Sequence, residues 1–295
     1  MPTPHLGRAN RIGGLWMIAA MAAFAVEDVL IKSAATRLPL GEITLLFGTG
    51  GALIFASLAT LRGETLLNPA VLCRPMILRV LFEVSGRLFH FLAITLAPLS
   101  AATAILQATP LVVVAGAALF LGEKVGRARW AAIGAGMIGV LIILRPATDS
   151  FTATSLLAVF GMIGFAGRDL ASRAAPRSLS LSLLGFYGFL ALIVAGGFIS
   201  LWQGQPFTTT TPQTLALITA TTICGTLAYA ALMQAMRTGE VSAVTPFRYT
   251  RLLFGLAAGA ILFKETIDAS TLAGCALIVA SGLIILWTNR RAAQT

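Results

Sequence analysis

The sequence predicts an all-α membrane protein of ten transmembrane helices, arranged as two inverted five-helix repeats around a central cavity. Three observations predict this fold: the composition, the number of apolar segments and an internal repeat. The 295 residues are 57% hydrophobic and 11% charged, with a mean hydropathy of +0.89, which is too apolar for a soluble globule. The net charge of +10 is explained by Lys and Arg in cytoplasmic loops. A lipid bilayer is therefore the expected surrounding, and no nucleic-acid partner is expected.

The internal repeat relates residues 99–144 to residues 241–286 at a constant offset, since 241 − 99 = 142 and 286 − 144 = 142. Ser100 corresponds to Ser242 and Glu123 to Glu265, and the correspondence needs no gap. A repeat of this length in an apolar chain is a signal for architecture. It predicts two units, residues 1–146 and 147–295.

Ten segments are apolar enough to span a bilayer, which takes about 20 residues each. They are residues 12–33, 41–61, 75–96, 99–121, 128–146, 152–172, 180–201, 212–236, 241–263 and 269–288. Each unit thus contains five spans, and the connections between them have to be short.

Short connections allow the orientation to be read from Lys and Arg near the helix ends. With both termini in the cytoplasm, twelve of these residues lie inside and only four lie outside, namely Lys32, Arg37, Arg145 and Lys264. An odd number of spans per repeat means that the second copy enters the membrane from the opposite side. Inverted repeats of this kind underlie alternating access in many secondary transporters.

Several motifs resemble the EamA repeat of the drug/metabolite transporter superfamily. The first copy contains Leu99-Ser-Ala-Ala-Thr-Ala, Thr109-Pro110, Leu121-Gly-Glu123-Lys and a glycine-rich span from Gly134 to Gly139. The second contains Val241-Ser-Ala-Val-Thr245, Phe263-Lys-Glu265 and Gly274 to Gly282, but has Arg251-Leu252 in place of Thr-Pro. In length, number of spans and topology the chain is similar to YddG-type amino-acid exporters of bacterial inner membranes. The resemblance implies a carrier that exports aromatic and other amino acids or related metabolites. A monomer is expected, and no cofactor is.

The repeated residues have physical roles apart from the resemblance. Gly134, Gly136, Gly139, Gly274 and Gly282 predict close helix packing, since membrane helices approach one another through small residues. Glu123 and Glu265 are expected to pair with nearby Lys or Arg, or to accept from backbone N–H groups at the next helix start. Pro110 is expected to interrupt its span.

Charged groups inside the membrane are functional candidates because they are costly there. Arg79, Glu83 and Arg87 share one helix face, and His90 lies near it. Glu27 and Asp169 are related by the offset of 142 and predict two ion-pair gates, one for each side of the membrane. The expected companions are Asp28 and Lys32 for the outer gate and Arg168, Arg79 and Arg248 for the inner one, with Arg251 as a further ion-pair candidate.

A central substrate site is expected on the fourth and ninth spans. Gln107 and Tyr249, which are also related by the offset, should face the axis and are preferred to the arginines. Thr103 and Thr245 lie on the same spans, and the further candidates for the cavity wall are Arg87, Glu83, His90, Phe82, Tyr187 and Tyr229.

Other functions are less consistent with the residues. The sequence has neither a cluster of His and Asp nor a Cys pair, so a metal site or a membrane-embedded enzyme is not indicated. It also lacks a phosphate-binding loop, so direct use of ATP is not expected. A drug or cation efflux carrier and a passive channel remain alternatives, and so do proton-coupled and facilitated transport.

Overall fold

The chain folds into α-helices with short connections, and the computed structural model describes residues 4–120, 126–145, 154–173, 176, 179–208, 211–238 and 245–292. No strand occurs among them. The helices, in chain order, are α1 (Pro4–Ala34), α2 (Leu40–Leu61), α3 (Arg74–Leu96), α4 (Leu99–Leu106), α5 (Thr109–Phe120), α6 (Arg127–Leu144), α7 (Ser155–Arg173), α8 (Leu181–Gln203), α9 (Pro212–Thr238), α10 (Thr250–Leu262) and α11 (Ala269–Ala292). Short 3-10 turns at Pro69–Leu72 and Thr245–Tyr249 precede α3 and α10.

Local sequence signals set several helix ends. Pro39 precedes α2, and Pro75 lies in the first turn of α3, where a missing N–H costs nothing. The side chain of Ser180 accepts from the Leu183 N–H and caps α8, which ends at Gly204 with φ of 59°. Glycine is favoured at that position because it adopts positive φ without steric cost.

Six helices of the described part are long and apolar enough to cross a membrane, if α4 and α5 are taken together. They are Arg11–Ala34, Leu40–Leu61, Leu99–Phe120, Ser155–Ser172, Leu181–Gln203 and Pro212–Ala235. Two shorter apolar helices are Trp130–Ile143 and Ala269–Ile284. The predicted all-helical membrane fold is confirmed, whereas the number of exactly ten spans stays a prediction.

Equivalent helices of the two repeats pack against each other in opposite directions. Helix α8 is the equivalent of α2, since 40 + 142 = 182 and 61 + 142 = 203. At one end of the pair the Gly41 N–H donates to Gln203 Oε1 at 3.0 Å, and at the other Arg62 Nη1 donates to Ser182 Oγ at 2.9 Å. The antiparallel arrangement is what inverted repeats require.

Helices α6 and α11 form a second pair of equivalents, and glycines allow their backbones to approach. A Cβ atom on Gly139 would lie 2.8 Å from the carbonyl oxygen of Gly274, and one on Gly136 would lie 3.2 Å from Ser281 Cβ. Gly134 differs, because a Cβ atom there would meet nothing within 4 Å. The prediction that Gly134 also serves helix packing is wrong; it lies on the exposed face of α6.

The two remaining large interfaces are a single interface repeated by the two-fold relation. Helix α3 packs on α7, and α1 packs on α9; the offset converts α3 into α9 and α1 into α7. In the second of these, Met17, Met21 and Phe24 of α1 pack on Ala228 and Leu232 of α9. All four of the most extensive interfaces therefore join one repeat to the other, so the cavity between them is built by both.

One end of the bundle is held together by what we call the Lys32–Glu265 group. Glu265 accepts from the Leu99 N–H at 2.7 Å and from the N–H and hydroxyl of Ser100 at 3.0 and 2.7 Å. Lys32 lies 3.6 Å from Glu265 and donates to the carbonyls of Ile94 and Ala97 at 2.9 Å. Glu265 thus caps a helix start as predicted, but that of α4 in the other repeat. Glu123 lies outside the described residues.

Candidate functional site

An interrupted helix and a 3-10 turn meet at the centre of the molecule. The fourth predicted span breaks after Leu106 and resumes at Thr109, and the Thr245–Tyr249 turn precedes α10 at the corresponding place, since 106 + 142 = 248. Gln107 Nε2 joins the break to the turn by donating to the carbonyl of Arg248 at 2.9 Å. Discontinuous helices at the interface of two repeats are a typical place for a transporter's binding site.

A small cavity lies beside the break and the turn, with a volume of about 60 Å³. Its wall consists of Met21, Phe24, Arg87, His90, Leu106, Gln107, Thr109, Pro110, Phe165, Arg168, Tyr229, Leu232, Arg248 and Arg251. Sites for drug-sized ligands measure about 300–1,000 Å³. The cavity therefore has to widen before it can hold a metabolite.

The cavity lies on the pseudo-two-fold axis. Both members of four offset-related pairs contribute to its wall: Arg87 with Tyr229, His90 with Leu232, Leu106 with Arg248, and Thr109 with Arg251. Each pair differs by 142, but the two side chains differ in chemistry. The repeat accordingly supplies symmetric positions and an asymmetric set of polar groups.

An unbroken series of ion pairs runs through the wall. Glu27 pairs with Arg87 at 3.2 Å, Arg87 with Glu83 at 3.3 Å, and Glu83 with Arg168 at 3.3 Å. Arg168 then pairs with Asp169 at 2.8 Å, and the other Asp169 oxygen lies 3.5 Å from Arg248. Glu27 and Glu83 are each 1% exposed, so these charges are neutralised by one another and not by water.

A neighbouring group around Asp28 and a branch at Arg79 complete what we call the charged cluster. Asp28 accepts from Arg251 at 2.7 Å and lies 3.0 Å from His90 Nε2. Arg79 donates to Tyr229 Oη at 3.2 Å and to Ser172 Oγ at 3.1 Å, and lies 3.9 Å from Glu83. The ten members are Glu27, Asp28, Arg79, Glu83, Arg87, His90, Arg168, Asp169, Arg248 and Arg251.

The prediction of two separate gates at Glu27 and Asp169 is wrong in its placement. Both carboxylates belong to the one charged cluster, because Glu83 on α3 joins Arg87 to Arg168. Lys32, expected beside Glu27, pairs with Glu265. Arg79, expected beside Asp169, contacts Glu83. The expected contacts of Asp169 with Arg168 and Arg248 are present.

Tyr249 does not face the axis, which corrects the expectation that both it and Gln107 do; their preference over the arginines as substrate contacts stays a prediction. Gln107 lines the cavity, whereas the Tyr249 hydroxyl lies against Gly282 of α11, where any side chain would overlap it. The 3-10 turn rotates the backbone ahead of α10, so Arg248 occupies the wall and Tyr249 packs behind it. Four of the five arginines within spans line the cavity instead.

Three other wall candidates lie elsewhere. Thr103 is buried against Gly255 at the contact of α4 with α10, and Phe82 packs on Gly167 between α3 and α7. Tyr187 donates its hydroxyl to the Leu66 carbonyl at 2.9 Å, at the opposite end of the bundle from Lys32. None of the three lines the cavity.

The remaining candidates lie in or directly behind the wall. Arg87, His90 and Tyr229 line the cavity as expected, and Glu83 is behind it, in contact with Arg87 and Arg168. The side chain of Thr245 lies outside the described residues. Whether these groups bind substrate stays a prediction.

Sequence reasoning missed the apolar part of the wall, formed by Met21, Phe24, Phe165 and Leu232. The offset was a usable signal for one of them, because Leu232 is the equivalent of His90. In the described part of the chain, no group of three or more His, Cys, Asp or Glu residues is arranged to hold a metal ion.

Comparison with known proteins identifies the repeat. A family model described as the EamA-like transporter family matches residues 11–145 and 152–287. A solved crystal structure of a protein covers 97% of this chain and 99% of its own, with a TM-score of 0.62 and 17% identity. At that identity the likeness shows the fold alone.

Several curated relatives match over almost their whole length. An S-adenosylmethionine uptake transporter of Rickettsia felis is 26% identical, with 94% of this chain and 93% of the relative covered. A riboflavin transporter of Rhizobium johnstonii is 28% identical, with 95% and 92% covered. A pseudopaline exporter of Pseudomonas aeruginosa is 29% identical, with 94% and 97% covered.

Proposed function

Because this chain belongs to the EamA-like transporter family, we propose that it is a secondary transporter that exports amino acids or related small metabolites across the bacterial inner membrane. One observation carries the proposal: a cluster of ion-paired groups lines a cavity between two inverted repeats. Ionisable groups at membrane depth are costly, and where they line a cavity they mark substrate pathways.

Alternating access is the transport mode that the symmetry supports. Equivalent helices pack antiparallel, so the arrangement that closes one side of the bundle has a counterpart on the other. The present cavity of about 60 Å³ is too small for a metabolite, which fits a closed state between two open ones.

The relatives leave the cargo and the direction open. Their names specify three chemically different cargoes, one taken up and one exported. Amino acids are proposed here because the wall offers four guanidinium groups for a carboxylate. The rings of Phe24 and Phe165 already lie against Arg251 and Arg168, at 5.1 and 4.8 Å.

The alternative of a cation efflux carrier receives less support from the wall. Among the described residues the wall contains four arginines and no carboxylate. The carboxylates behind it, on Glu27, Asp28, Glu83 and Asp169, each pair with an arginine. A cationic cargo would have to displace one of these arginines.

We further propose ten spans with both termini in the cytoplasm, and a monomer as the transporting unit. The Lys and Arg distribution supports the orientation. A single chain supplies the whole wall of the cavity from both of its repeats, so a second copy is not needed to complete the site.

The test is counterflow in proteoliposomes loaded with aromatic and aliphatic amino acids. Protein-containing vesicles should accumulate external radiolabelled amino acid, and Arg168→Gln should abolish the accumulation. Arg62→Gln is the matched control, since Arg62 pairs with Ser182 at the end of the bundle and should leave transport unchanged. Flux of organic cations without any amino-acid flux would contradict the proposal.

A further inference from the structure

The charged cluster carries more positive than negative charge. Its described members include five arginines and four carboxylates, and 5 − 4 = +1 with His90 neutral. Four of the arginines line the cavity, whereas none of the carboxylates does. The unneutralised charge is therefore directed towards the space that a substrate would enter.

Arg248 is the least firmly held of the four wall arginines. Its one described ion pair, to Asp169, measures 3.5 Å, whereas the shortest ion pairs of Arg87, Arg168 and Arg251 measure 3.2, 2.8 and 2.7 Å. Its side chain is also 25% exposed, against 7 to 14% for the other three. Reorienting Arg248 consequently breaks the fewest contacts.

Asp169 would remain neutralised if Arg248 turned away. Its Oδ1 atom accepts from both Nε and Nη2 of Arg168, at 3.0 and 2.8 Å, while only Oδ2 faces Arg248. If Arg248 exchanges Asp169 for another partner, no carboxylate is left unpaired. The large cost of an unpaired buried charge is therefore avoided.

We propose that Arg248 binds the carboxylate of the substrate and that Asp169 occupies the same guanidinium while the cavity is empty. Arginine suits this role because its planar fork can hold a carboxylate by two parallel hydrogen bonds. The inference rests on the proposed function and narrows it: the cargo carries a carboxylate, and an amide of the same shape binds weakly.

Three substitutions at this pair separate the inference from a merely structural salt bridge. Asp169→Asn removes the internal competitor and should tighten carboxylate binding several-fold. Arg248→Gln should weaken it by about tenfold or more, and Arg248→Lys should retain part of it as a single point charge. If the pair were only a structural salt bridge, Asp169→Asn and Arg248→Gln would each remove it. These two variants would then shift binding in the same direction.

The probe is phenylacetate, with phenylacetamide as its neutral counterpart, and the readout is the shift of the thermal unfolding midpoint of purified protein with probe concentration. Wild-type protein should be stabilised by phenylacetate at lower concentration than by phenylacetamide. Glu27→Gln is the control for net charge, since it removes one carboxylate that contacts Arg87 and not Arg248. It should tighten binding less than Asp169→Asn does.

The outcomes distinguish the two proposals. Equal stabilisation by acid and amide, equal tightening by Glu27→Gln, or a common direction for Asp169→Asn and Arg248→Gln overturns the role of Arg248. Opposite shifts in those two variants without amino-acid counterflow would support Arg248 as the anion site and refute only the amino-acid cargo.

Discussion

Glu83 is the carboxylate with the most arginine partners in the charged cluster, with Arg87, Arg168 and Arg79 at 3.3, 3.3 and 3.9 Å. Its side chain is 1% exposed, so water does not replace these contacts. We expect Glu83→Gln to lower the thermal unfolding midpoint by about 10 °C, because breaking a buried ion pair leaves uncompensated charge. Differential scanning fluorimetry of the purified protein measures this.

Glu64→Gln provides the comparison at residue scale. Glu64 accepts from the Ser180 hydroxyl in a connection at the end of the bundle, so the same chemical change should shift the midpoint by less than about 2 °C. Equal shifts in the two variants would show that Glu83 does not hold the cluster together.

At residue scale, the sequence predicted well which groups lie near the centre. It predicted less well which of these groups face the cavity. The cost of charge in a membrane was sufficient to select Arg87, Arg168 and Arg248. The direction of Tyr249 was not predictable, because a 3-10 turn advances about 120° per residue and a helix about 100°. Where the turn begins is not evident from composition. Gly282, which leaves room for the Tyr249 ring, was the available signal.

At the scale of elements, the crossing of α6 and α11 depends on glycine at particular positions. Gly139→Leu should reduce the yield of folded protein severely, because its Cβ would lie 2.8 Å from the Gly274 carbonyl oxygen and 2.9 Å from Ile278. Gly134→Leu in the same helix should be tolerated, since nothing lies within 4 Å of its Cβ. Fluorescence-detected size-exclusion chromatography of both variants measures the folded fraction, and similar profiles would contradict this account of the crossing.

The break in the fourth span was only partly predictable. Pro110 predicts a disturbance of the fourth span, and the structure places the break at Gln107 and Ala108, so that Pro110 lies in the first turn of α5. There its missing N–H is harmless. The Leu106 carbonyl accepts a hydrogen bond from the Thr109 hydroxyl at 2.5 Å. In the second repeat the equivalent of Pro110 is Leu252, and a proline, Pro246, lies instead within the Thr245–Tyr249 turn. The turn therefore has a sequence signal of its own, displaced from the position that the offset indicates.

At the scale of the whole molecule, the proposed alternating access predicts that the Lys32–Glu265 group belongs to one state of the transporter. Lys32 and Glu265 join the ends of α1 and α3 and the segment after α10 to the start of α4. The opposite end cannot have an identical group, because the equivalent of Lys32 is Ala174. Opening at the Lys32 end should therefore depend on Glu265 specifically.

We expect Glu265→Gln to shift the population towards a state that is open at the Lys32 end, since the amide cannot accept from three donors with the strength of a carboxylate. The reporter is Leu106→Cys, which lines the cavity and is 5% exposed, in a background lacking Cys73, Cys224 and Cys275. A membrane-impermeant thiol reagent added at the Lys32 side should label this cysteine several-fold faster in Glu265→Gln. Asp268→Asn, at the same end and paired with Arg145, should leave the rate unchanged. Equal labelling of all three proteins would show that the Lys32–Glu265 group does not control access.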